Sequence, residues 1–223
     1  MPLLFPGQRW FVLGKRSTRN QHRKQDMADP LYLSVWFPKF EEADMMRRMV
    51  SVMREFPFSS ERPGITYVYV QPVSWSEPTI LERRFRPGLD PEQAVAMAGD
   101  LLHEDYAYVF EASWDLWAPS EESEEWSLEP RLVKFIANGK RFDDESFQQN
   151  GHIQVDFGLD TPFLYEDMDL SEADESRVRS NVQKLVQFTQ SVEKNCGISG
   201  RVLWSESEEN LAQKLIARLQ KVQ

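Results

Sequence analysis

Residues 90–117, DPEQAVAMAGDLLHEDYAYVFEASWDLW, decide the fold. Asp90 is a helix-capping residue, Pro91 takes the first helical position, where its missing N–H costs nothing, and Gln93 can reach back toward the cap. Ala94, Ala98, Leu101 and Leu102 carry the helix to about His103. Tyr106–Trp117 then reads as a long strand rich in aromatic side chains. A helix feeding a long strand points to a mixed α and β body.

Upstream, LYLSVWF (31–37) alternates Leu31, Leu33, Val35 and Phe37 against Tyr32, Ser34 and Trp36, the period of a strand with two unlike faces. Glu41–Phe56 places Met45, Met49, Val52, Met53 and Phe56 at helical spacing before Pro57. Ile65–Val73 and Thr79–Arg86 read as strands separated by a short polar break. The order over residues 31–117 is therefore strand, helix, strand, strand, helix, strand. That βαββαβ order resembles a ferredoxin-like sandwich, which implies an antiparallel sheet with both helices on one face.

Downstream, Arg131–Ala137 meets Asn138-Gly139, a dipeptide suited to a hairpin turn, with Lys140–Phe142 as a short returning arm. His152–Gly158 alternates Ile153, Val155 and Phe157 on one side. Ser171–Cys196 is a helix striped by Val178, Val182, Leu185, Thr189 and Val192 and stopped by Gly197. Arg201–Trp204 can be a short strand, and Ser205 with Glu208 makes a capping box for a last helix buried through Leu211, Leu215, Leu219 and Val222. The expectation is one α+β domain over 29–223. A first half (29–117) and a ββαβα second half (131–223) are joined by an acidic loop, 118–130, the second sheet extending the first or layered on it.

Charge is unevenly placed along the 223 residues. Lys and Arg number 26 and Asp and Glu 36, but residues 1–28 hold six of the former and only Asp26 of the latter, so 29–223 carry 20 against 35, about −15. Residues 1–28 read as a basic extension that does not pack, and MADPLYLSVWF from Met27 reads as a natural chain opening. A body this acidic repels phosphate backbones, so nucleic acid is not an expected partner of the folded part. No apolar run approaches the roughly 18 residues of a membrane span. The single cysteine, Cys196, cannot form an internal disulfide, which makes a reducing cytoplasm the expected compartment.

The candidate chemical groups do not assemble. His103-Glu104-Asp105 reads as a helix end and turn, with no second histidine nearby. His152 and Asp156 would lie about 13 Å apart on an extended strand, as would Glu111 and Asp115, too far to share a metal or a proton. Asp156-Phe157-Gly158 and Gly14 match fragments of kinase and phosphate-loop motifs without their contexts. Cys196 falls on the buried stripe of its helix. No catalytic residue, metal site or cofactor is therefore expected.

Two features remain. Tyr32, Trp36, Tyr67, Tyr69, Tyr108, Trp114 and Trp117 give the strands many large amphipathic rings, of the kind found where one end stays wet. Glu121, Glu122, Glu124, Glu125 and Glu129 surround Trp126, and a second acidic cluster (166–175) precedes the long helix. These features predict a non-catalytic, acidic protein-binding module, an inhibitor, immunity-like antagonist or adaptor, with a basic protein as partner. Its expected contact residues are Trp126, Glu121, Glu122, Glu124, Glu125, Trp114, Trp117, Trp36 and Tyr69. The alternative is an aromatic-lined pocket of at least about 300 Å³ on the open face of the sheet, with His152, Glu111, Asp115 or Arg84 as its polar handle.

Overall fold

The computed structural model describes residues 28–120, 125–166, 168–206 and 210–220. Their elements run β1 (Pro30–Trp36), α1 (Glu42–Arg54), β2 (Ile65–Pro72), β3 (Leu81–Leu89), α2 (Pro91–Gly99), β4 (Tyr106–Pro119), β5 (Trp126–Asn138), α3 (Phe147–Asn150), β6 (Ile153–Leu159), α4 (Thr161–Leu164), α5 (Glu172–Asn195), β7 (Gly200–Ser205) and α6 (Leu211–Gln220). Residues 1–27 of the expected unpacked extension 1–28 lie outside the described residues, as do Glu208 of the expected capping box and Val222 of the last helix.

The strands form one seven-stranded antiparallel sheet in the order β3-β2-β4-β5-β6-β1-β7. The sheet of the second half thus continues that of the first. The element order of the first half is the expected one, but the strand order is not that of a simple ferredoxin-like sheet, in which the first strand would lie between the third and fourth. β1 instead lies between β6 and β7. The reason is that a strand has only two edges. One edge of β4 is taken by β2, and the other is taken by β5 through an unbroken register from Ala107↔Asn138 to Pro119↔Trp126. A hairpin closes with little loop entropy, so β5 occupies that edge ahead of a strand some 70 residues upstream. The expected loop at 118–130 is correspondingly short, because both strands run into it.

Alternation in each strand sends one set of side chains to the core. Leu31, Leu33, Val35, Val68, Val70, Phe110, Trp114, Phe135, Val155 and Phe157 join a single buried cluster with α1 (Met45, Met49, Val52, Met53), α2 (Ala94, Ala98), α5 (Val182, Leu185, Phe188, Val192) and α6 (Leu211, Leu215). These four helices therefore cover one face of the sheet. Trp114 is fully buried there, stacked on Phe56 at 5.4 Å and Phe157 at 5.2 Å. Pro91 opens α2 as expected, although the Asp90 side chain makes no capping hydrogen bond.

Asn138-Gly139 does not turn a hairpin. Gly139 is needed for close approach, since a Cβ there would sit 2.3 Å from the Glu104 carbonyl oxygen and 2.7 Å from that of Tyr106. Gly139 and Arg141 donate their N–H groups to those two strand-entry carbonyls, Tyr106 and Glu104. The chain then passes through Asp143, Asp144 and Glu145, all left-handed (φ 49°, 53° and 62°), in place of the expected returning arm. The Asp143 N–H donates to Val73, itself at φ 58°. Phe142 is buried by this path on Ala107, Val109 and Ile136, on the face of the sheet that the four helices do not cover.

At the outer edge, β3 carries exposed Arg83, Arg84, Arg86 and Pro87. Truncating Trp114 to Ala removes the ring on which three other aromatic side chains converge and should cost about 3–5 kcal/mol, read as a lowered urea midpoint. Gly139→Ala should also lower it, because the atoms it meets are backbone oxygens that cannot swing aside.

Candidate functional site: the uncovered sheet face

The side chains that alternate with the core positions form one row across all seven strands. Register pairs give Arg84 (β3), Tyr67 (β2), Glu111 (β4), Lys134 (β5), Asp156 (β6), Tyr32 (β1) and Trp204 (β7). Six of them are half-buried and Arg84 is exposed, its guanidinium lying 5.0 Å from the Tyr67 ring centre. At the other end, the Tyr32 and Trp204 rings meet at 4.7 Å, and Trp204 Nε1 donates to Ser34 Oγ at 2.9 Å.

The next row, with Tyr69, Val109, Ile136, Gln154 and Ser34, is more deeply buried. Phe142 covers part of it, with Trp75 edge-on at 5.0 Å, and Trp36 Nε1 donates to the Phe147 carbonyl of α3 at 3.2 Å. The segment 139–150 therefore makes a wall, and the charged row is a ledge beside it. On its other side Leu132 is 47% exposed.

The ledge is electrostatically set by partial burial. Burial pushes the Tyr32 hydroxyl up to about 12, helped by Asp156 and Glu206, and the Tyr69 hydroxyl up to about 12, helped by Glu111. The Glu111 carboxyl is raised by burial, partly offset by Lys134 and Arg84.

The expected contact residues scatter. Trp36 and Tyr69 belong to the uncovered face. Trp114 does not, because its position in the alternation of β4 turns it to the helices, where it is part of the core. Tyr108 is likewise interior, its hydroxyl donating to the Leu101 carbonyl at 2.7 Å. Trp117 lies near α5, 5.5 Å from the Arg177 guanidinium, while its backbone exchanges two hydrogen bonds with the Asn181 amide. Trp126 is half-buried, its ring edge-on to Tyr165 at 5.1 Å, with Glu125 exposed beside it. Glu121, Glu122 and Glu124 lie outside the described residues. Lys134 and Trp204 were not singled out in the sequence. The signal was there: Lys134 is the one charged residue in the apolar run Leu132–Ala137, and Trp204 follows Leu203 in a short strand.

The remaining candidate groups are held apart. His103 faces Asp105 at 3.5 Å, whereas Glu104 pairs with Arg141 at 3.0 Å. Asp115 Oδ2 accepts the N–H and hydroxyl of Ser60, both at 2.9 Å. Cys196 is buried, its thiol donating to the Ser51 carbonyl and its pKa raised by burial. Among the described residues, no three His, Cys, Asp or Glu side chains converge to hold a metal ion. A cleft of about 120 Å³ is lined by Phe40, Glu41, Glu42, Met45, Glu104 and Lys140, none of them in the aromatic row.

His152 is a packing residue. Its ring is sandwiched between Phe40 (4.5 Å) and Phe147 (5.2 Å), and Nδ1 accepts the Phe37 N–H at 3.0 Å. It thereby ties the end of β1 to α3. Burial, with Lys140 nearby, pulls its pKa down to about 4, so the folded protein holds it neutral. Asp160 is displaced the other way: burial raises it to about 6, while its carboxylate accepts the Asp29 N–H.

No family model, curated protein or solved structure matches this chain. Among the described residues, no helix is long and apolar enough to cross a membrane.

The two displaced groups oppose each other in their pH dependence. His152 binds a proton more readily unfolded, so its contribution is present above pH 6.5 and is lost as pH falls toward 4; allowing for solvent screening at a half-buried site, it is worth about 1–2 kcal/mol. Asp160 binds a proton more readily folded, so its contribution is present below about pH 4 and is lost as pH rises through 6. Asp160→Asn should therefore steepen the rise of the urea midpoint between pH 4 and 6.5, and His152→Gln should flatten or reverse it.

Proposed function

We propose that this chain is a non-catalytic protein-binding module, of the inhibitor, immunity-like or adaptor kind, acting in the cytoplasm on a basic protein partner rather than on nucleic acid. The observation that carries the reading is the uncovered face of the sheet. Its half-exposed Tyr32, Trp36, Tyr67, Tyr69 and Trp204 are interleaved with Glu111, Lys134 and Asp156. Aromatic rings are enriched at protein contact surfaces, where they anchor binding, and charges beside them set specificity. The acidic balance of residues 29–223 favours a basic partner, because opposite net charge speeds encounter.

The test is photocrosslinking in the source cells, with benzoylphenylalanine at position 67 or 204 on the open face and at position 187 on α5 as control. A discrete basic protein joined from 67 and 204, absent from 187 and lost when Lys134 is replaced by Glu, supports the reading. Equal yields from both faces, or a ligated small metabolite in place of a protein, would falsify it.

A further inference from the structure

The centre of the ledge has a spacing that selects the shape of its occupant. Glu111, Lys134 and Asp156 stand on three consecutive strands in direct register, giving the charge order minus, plus, minus. Strands lie about 4.8 Å apart, so the outer two are separated by about 9.6 Å. None of the three takes part in a direct ion pair among the described residues, although Asp156 Oδ1 accepts the Gly158 N–H at 2.8 Å. Lys134 and Arg84 act on Glu111 only across the strand spacing, without contact, and such half-buried charges gain most from a partner that pairs with them directly while excluding water.

A complementary partner must present plus, minus, plus at the same intervals. On an extended segment, side chains of one face recur every 6.6–6.8 Å or so and fall out of step after one residue. On an α-helix, positions i, i+3 and i+7 lie on one face and rise by about 4.5 and 10.5 Å, close to the strand intervals. The wall at 139–150 and exposed Leu132 bound the ledge on its two sides, so a rod can lie between them across the strands. The Tyr32–Trp204 pair at one end and the Arg84–Tyr67 pair at the other supply apolar and cation-bearing ends.

We propose that the ledge receives an amphipathic helix of a partner protein, lying across the strands with Lys or Arg at i and i+7 and Glu or Asp at i+3. This rests on the protein-binding reading above and names the recognition element. Two cations to one anion also agree with a basic partner.

The test uses the full chain and three fluorescent 16-residue stapled peptides in anisotropy titrations: a Lys-x-x-Glu-x-x-x-Lys helix, the charge-reversed Glu-x-x-Lys-x-x-x-Glu helix, and the first sequence with a central proline and no staple. The first should bind at least about tenfold more tightly than either control, a gap of about 1.4 kcal/mol. Lys134→Glu should weaken the first helix by roughly tenfold, because its central Glu then faces a third carboxylate, and Lys134→Met should weaken it less; circular dichroism melts check that both variants fold. Equal binding of the three peptides, or a preference unchanged by both substitutions, overturns the proposal. If neither helix binds while crosslinks from positions 67 and 204 still capture a basic protein, the helical geometry is wrong and the protein-binding reading stands.

Discussion

The structure depends on the ladder between β4 and β5. These two strands pair along their whole lengths, and every other rung places Phe110, Trp114, Val133 or Phe135 against the helices. Backbone hydrogen bonds alone add little net stability, since water satisfies the same groups in the unfolded chain. The ladder is held because its register and the burial of its apolar side chains are the same choice: a slip of one residue would turn Phe135 outward and Lys134 inward. With β4 and β5 fixed, β2 and β3 can add only on one side and β6, β1 and β7 only on the other.

That constraint also produces the uncovered face. α1, α2, α5 and α6 all contribute to the one large cluster, while the opposite face is sealed only in part, by Phe142, Trp75 and the short α3. The seal is built from unfavourable backbone: Val73, Asp143, Asp144 and Glu145 all adopt left-handed angles that cost a side-chain-bearing residue about 1 kcal/mol or more. The His152 sandwich and the bond from Asp143 to Val73 hold the segment against that strain. The alternation that makes a dry face with one set of residues thus leaves the ledge with the other.

Much of the local structure was legible. The alternation of LYLSVWF and HIQVDFG, the helical stripes of α1 and α5, and Pro91 at the start of α2 all report local periodicity, which sequence carries directly. Pairing partners were not legible, because which strand takes the free edge of β4 depends on loop lengths and on competition among distant segments. Asn138-Gly139 misled for a related reason: the dipeptide permits a turn, but here Gly139 is required by the carbonyls of Glu104 and Tyr106, far away in the chain. The ledge was legible only in part. Its rings stood out by composition, whereas Lys134 acquires its setting only when Glu111 and Asp156 are brought to either side of it, and Trp114 could be sorted from Trp36 only once the register was known.

The arginine-rich outer strand bears on how such a sheet survives at high concentration. An open sheet can in principle grow by recruiting another chain along its rim, the route to fibrous aggregates. Arg83, Arg84 and Arg86, offset only by Glu82, give β3 a net positive rim, and Pro87 a missing donor, so two molecules meeting there repel each other before backbones can zip together. Growth by polymerisation is blocked at that end of the sheet by electrostatics rather than by bulk.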